Sequence, residues 1–128
     1  MKTALHGYHL AAEGIDVACH PGDIGVFLER AVQLIGMTKI ATPVVYEAYG
    51  VGFQLIAESH ISIHVRGLVA QAHVFSCKPF KGQPIIDLLQ EIFSGTWKAL
   101  YFVRSVRDSS SERTRQFASP HPATRPTR

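Results

Sequence analysis

Cysteine is scarce: Cys19 and Cys77 are the only two in 128 residues. Two thiols make no disulfide framework and suit a reducing compartment, so a cytoplasmic protein is expected. Long apolar runs are missing as well. Gly, Thr, Glu or His breaks every hydrophobic stretch well before the ~18 residues of a membrane-spanning helix. The opening MKTALHGYHL carries one lysine but no long apolar stretch or small-residue cleavage site, so it does not read as a secretory signal. There is no internal repeat. A basic patch on the body of the chain is absent too, although the net charge is +3. Residues 104–128 hold six arginines against Asp108 and Glu112, a local +4 that leaves −1 for residues 1–103. The positive charge belongs to a tail, not to a folded groove interleaved with aromatics, which argues against nucleic acid as a partner.

What is there suffices for one domain. Hydrophobic residues make up 46% of the chain, enough for a core, although a unit this small gains from a second copy. Residues 3–12, TALHGYHLAA, read as a first strand, and IDVACHPG as a loop. From Asp23, the residues Ile24, Phe27, Leu28, Ala31, Val32 and Ile35 recur on one helical face, and Gly36 is a plausible stop. TKIATPVVYE (38–47) reads as a strand, with Pro43 marking an edge or bulge. FQLIAE reads as another. Residues 60–66 and 69–77 form a hairpin about Gly67. Pro84 opens a second helix, IIDLLQEIF, and residues 96–106 form a last strand. The expected fold is α+β: an antiparallel sheet with both helices on one face. The other face awaits a partner sheet, giving a homodimeric αββα sandwich. The domain spans 1–107. Residues 108–128, polar and Pro-rich, read as a disordered basic tail.

The informative stretch is IAESHISIHV (56–65). In a straight strand His60, Ser62 and His64 share one face and Ser59 the other. His60 and His64 then stand roughly 13 Å apart, too far to share one metal ion, so no metal is expected. Ser59 and His64 can cooperate only if the backbone turns near Glu58–Ser59. A hydroxyl beside its preceding carbonyl can attack it, turning the peptide into an ester that loss of the Cα proton expels. That event needs a base and a partner for the oxyanion.

AESHISIH followed by a strand ending VFSC resembles the prokaryotic S-adenosylmethionine decarboxylase family. Its motif, Glu-Ser-His-(aliphatic)-(Ser/Thr)-Ile-His with a cysteine closing the next strand, falls on Glu58, Ser59, His60, Ser62, Ile63, His64 and Cys77. GYHLAAEG also looks like the family's opening segment, and the likeness covers about residues 3–103. It implies cleavage between Glu58 and Ser59, with Ser59 becoming a covalently bound pyruvoyl group. It gives His64 a part in processing, drawing off the proton that drives ester elimination. Cys77 would return a proton to the substrate carbon after carbon dioxide leaves. A pyruvoyl carbonyl forms a Schiff base with an amine and serves as an electron sink, and a thiol can deliver a proton near neutral pH.

The chain departs from the family pattern at three places. Val65-Arg66-Gly67-Leu68 stands where the family has Thr-Trp-Pro-Glu, His73 where an acidic residue is common, and Val51 where a serine assists processing. Phe53 offers an aromatic face to a sulfonium, with Tyr46, Glu47 and Tyr49 nearby in sequence. Arg66 suits a substrate carboxylate. The expected small-molecule substrate is S-adenosylmethionine, supplying aminopropyl groups for polyamines such as spermidine. One alternative keeps the mechanism and takes ornithine or arginine. Another is an uncleaved, inactive relative acting as a binding or regulatory subunit. Phe53, Arg66 and His73 are the candidate substrate-binding residues. No membrane partner is expected.

Overall fold

Seven antiparallel strands and two helices make up the structure, a computed structural model describing residues 4–108 and 113–117. The strands are β1 (Ala4–Ile15), β2 (Val44–Tyr46), β3 (Val51–Ile56), β4 (Ser59–Arg66), β5 (Val69–Ser76), β6 (Thr96–Asp108) and β7 (Arg113–Phe117). They form one sheet in the order β2-β3-β4-β5-β1-β6-β7. The helices are α1 (Asp23–Leu34) and α2 (Gln83–Phe93). This is the α+β architecture expected from the sequence. Of the tail assigned to 108–128, Asp108 ends β6 and Arg113–Phe117 pairs with β6; residues 109–112 and 118–128 lie outside the described residues.

The core lies between the helices and one face of the sheet. Alternation puts Ile61 and Ile63 of β4, Ala70, Ala72 and Val74 of β5, and Leu10 and Ala12 of β1 into it. Against them pack Ile24, Phe27, Leu28, Ala31 and Val32 of α1, and Ile85, Ile86, Leu88, Leu89 and Phe93 of α2. Burying each large side chain contributes about 1.5–3 kcal/mol. The two helices lie side by side, joined at the surface by the Arg30–Glu91 ion pair at 2.8 Å. Pro84 sits in the first turn of α2, where a missing N–H costs nothing.

The segment 38–47 is not one strand. Only Val44–Tyr46 pairs continuously, with Lys39 as an isolated bridge to Ile56 and a 3₁₀ turn at Glu47–Tyr49. Pro43 has no N–H to give a ladder. The residues before it instead cross the end of the β3–β4 hairpin, where Ile40 N–H donates to Leu55 O at 3.4 Å and Ala57 N–H to Thr38 O at 2.8 Å. Gln54, fully buried, donates to Ala41 O at 2.8 Å from beneath. This strap borders the motif.

Candidate active site

β3 and β4 are joined by the two-residue turn Ala57–Glu58, with Ile56 and Ser59 as the closing pair. The backbone therefore reverses immediately before Ser59, and Ser59 opens a strand instead of interrupting one. Neither Ala57 nor Glu58 has positive φ, unlike Gly67 at φ 61° in the β4–β5 turn, so the Ala57–Glu58 turn is not the mirror-image type that suits strand twist best. Contacts from outside the hairpin hold it. Thr38 carbonyl accepts from Ala57 N–H, and Thr38 N–H donates to Glu58 Oε1 at 3.1 Å. From the other side Cys77 N–H donates to the Glu58 carbonyl oxygen at 3.1 Å. That oxygen belongs to the peptide joining Glu58 to Ser59.

Cys77 is placed there by Ser76. Register sets Ser76 opposite Ser59, fully buried. Its Oγ accepts from Lys78 N–H at 2.8 Å and donates to Lys78 O at 2.9 Å, closing a local turn of the kind short hydroxyl side chains favour. The Cys77 thiol is free and exposed. Ser59 Oγ lies 3.2 Å from His60 Nδ1.

On the face away from the helices, neighbouring strands line up side chains in rows. Leu55, His60, Phe75 and His9 form one, and Phe53, Ser62, His73 and Ala11 the next. Phe53 stacks on His60 with ring centres 5.3 Å apart, and His60 lies 6.1 Å from Phe75. His9 and His73 are 5.7 Å apart. Burial holds His60 below the ordinary histidine pKa; burial and then the neighbouring His60 do the same to His73. His9 is lowered by burial, then by His73 and His60. The three rings are thus neutral near pH 7 and do not repel a cation. Ile15, Leu55, Val69 and Phe75 are all exposed on this face. Among the described residues no group of three or more His, Cys, Asp or Glu could hold a metal.

The structure brings Glu58, Ser59 and Cys77 together, with Phe53 and His73 in the rows alongside. It does not bring His64 or Arg66 to Ser59. His64 lies five residues along β4, about 16 Å away at roughly 3.3 Å per residue, and Arg66 about 23 Å. His64 instead pairs with Val51, the position where the family pattern has a serine. A hollow of about 300 Å³ near His64 is lined by Phe53, Ser62, Gln71 and His73. Another hollow, of about 670 Å³, lies at the far end of β4 beside Cys19, Glu47, Tyr49 and Arg66, remote from Ser59. The parts played by the Thr38 backbone and the Cys77 amide are not legible in the sequence, because backbone groups carry no side-chain signature. The serine beside the cysteine in VFSC was the one available hint.

A model of the family described as S-adenosylmethionine decarboxylase matches residues 9–105. No match was found among curated proteins or among solved structures.

Proposed function

The chain belongs to the S-adenosylmethionine decarboxylase family, and we propose that it cuts itself between Glu58 and Ser59 to become a pyruvoyl-dependent decarboxylase of S-adenosylmethionine. The observation that carries this reading is the Cys77 N–H pointed at the Glu58 carbonyl oxygen. When Ser59 Oγ adds to that carbonyl, the oxygen gains charge, and a fixed donor at hydrogen-bond distance stabilises it most at that moment. The surrounding residues suit the group that would follow. Ser59 is only partly buried at the start of a strand, and aromatic rings and the Cys77 thiol lie on neighbouring strand ends. A pyruvoyl group supplies a carbonyl that takes up the electron pair left when carbon dioxide departs. Phe53 and Phe75 would present faces to a sulfonium, and Cys77 Sγ would hold the proton returned to the substrate carbon.

His64 enters from elsewhere. At about 16 Å along its own strand, it reaches Ser59 only from a second copy packed on the open, partly apolar sheet face. A homodimer of processed protomers meets that need, and the exposed Leu55, Phe75, Val69 and Ile15 are the surface it would cover. Arg66 carries a second reading. It borders a hollow of about 250 Å³ with His64 and Glu13, and the same packing would bring a guanidinium to the carboxylate of ornithine or arginine.

The test is intact-mass measurement of the full chain, followed by carbon dioxide release from labelled S-adenosylmethionine, ornithine and arginine. Two fragments, the larger blocked by a ketone reactive with hydrazines, together with release from S-adenosylmethionine, support the proposal. A lasting 14.1 kDa species would favour the uncleaved binding subunit. Release from ornithine or arginine alone would move the substrate to the second reading.

A further inference from the structure

We propose that His60 is the base that activates Ser59 for ester formation, leaving His64 the later removal of the Cα proton. This rests on the self-cleavage reading above and assigns the first of its two proton transfers. In the first, Ser59 Oγ bonds to the Glu58 carbonyl carbon as its proton passes to His60 Nδ1. The carbonyl electron pair moves onto oxygen, against the Cys77 N–H. Collapse then breaks the bond from the Glu58 carbon to the Ser59 nitrogen, and the imidazolium returns the proton to that nitrogen. The products are an ester and a free amine, with no co-reactant consumed.

Three observations support the assignment. Distance is the first: Ser59 Oγ and His60 Nδ1 stand 3.2 Å apart within one chain, inside the reach of a general base. Ring placement is the second. Phe53 stacks at 5.3 Å and an interplanar angle of 21°, and Phe75 lies 6.1 Å away, so packing aims the imidazole. The third is protonation state. His60 is held below the ordinary histidine value by burial, so its lone pair is available at neutral pH. The titratable groups facing it are His73 from β5 and His9 from β1; β3 contributes only Leu55 and Phe53. His64 lies about 16 Å from Ser59 along its own strand, and Val51 opposite it brings no hydroxyl.

The two steps are separable because an ester is cut by hydroxylamine and a peptide is not. Full-length chain would be made by cell-free synthesis and followed by intact mass with and without hydroxylamine. His60→Ala should slow appearance of the hydroxylamine-sensitive species by about 10²–10⁴-fold, the usual worth of a general base. His64→Ala should still form it. His60→Asn puts an amide oxygen near the Nδ1 position, so a hydrogen bond survives while basicity is lost; it should be as slow as His60→Ala. Ser59→Cys needs less help because a thiol ionises near neutral pH, and adding His60→Ala to it should leave thioester formation nearly unchanged. That pair also shows that the His60 variant folds. Parental cleavage in His60→Ala, or full recovery in His60→Asn, would overturn the proposal. If the parent chain itself stays whole in hydroxylamine, self-cleavage falls and takes this assignment with it.

Discussion

Replacing Cys77 by proline deletes one backbone N–H, and that hydrogen is the one directed at the Glu58 carbonyl oxygen at 3.1 Å. Before reaction the loss is small, about 1 kcal/mol for an ordinary hydrogen bond. During attack by Ser59 the oxygen becomes an alkoxide, and losing a single oxyanion donor typically costs about 10²–10³-fold in rate. Cys77 is exposed and Glu58 half-buried, so water replaces part of the donor, and we expect the lower end, about a hundredfold. Two features of the backbone favour the change. Ser76 is in a strand, the region preferred before proline, and Cys77 N–H serves no strand ladder. The assay is the cleavage time course by intact mass, with Cys77→Ala as comparison. Alanine keeps the amide, so that variant should cleave at the parental rate while its decarboxylation falls for want of the thiol. Equal cleavage in Cys77→Pro and Cys77→Ala would refute the oxyanion role of the amide.

Three further outcomes are expected. Co-expressing Ser59→Ala with His64→Ala should restore cleavage of the chain that keeps Ser59, because the partner supplies its histidine; no restoration beyond His64→Ala alone would put His64 out of the trans role. Acid should destabilise the fold. His9, His60 and His73 titrate below the ordinary value of about 6.5, so the unfolded chain takes up protons first. Their contribution is whole above that value and is lost as pH falls through the lower folded values. Thermal midpoints at pH 7.5 and 5.0 should show the drop, and His9→Gln with His73→Gln should flatten it; a midpoint that rises in acid contradicts the assignment. Finally Phe93→Ala, which removes a fully buried ring between Phe27 and Trp97, should cost about 3–5 kcal/mol by urea denaturation. A loss under about 1 kcal/mol would mean that α2 is not anchored there.

Much of this was written in the order of residues. The spacing of Ile24, Phe27, Leu28, Ala31 and Val32 specifies α1 because only a 3.6-residue period puts them on one face. Gly67 marks the β4–β5 turn by its left-handed φ, and alternation along β4 separates Ile61 and Ile63 from His60, Ser62 and His64. The motif around Ser59 pointed to the family, since residue types in sequence carry that information. Other features came only with the fold. Thr38 reaches Glu58 across twenty residues and Cys77 reaches it across nineteen, and both act through a backbone N–H that every residue type but proline shares. Strand parity also misleads at a turn: Ser59 and His60 point apart in a straight strand, yet their side chains meet at 3.2 Å beside the hairpin. Local pattern determines which residues face the core, because helix and strand periods are fixed by backbone geometry. Which amide meets which carbonyl depends on where distant strands stop, and that is set only when the whole sheet has closed.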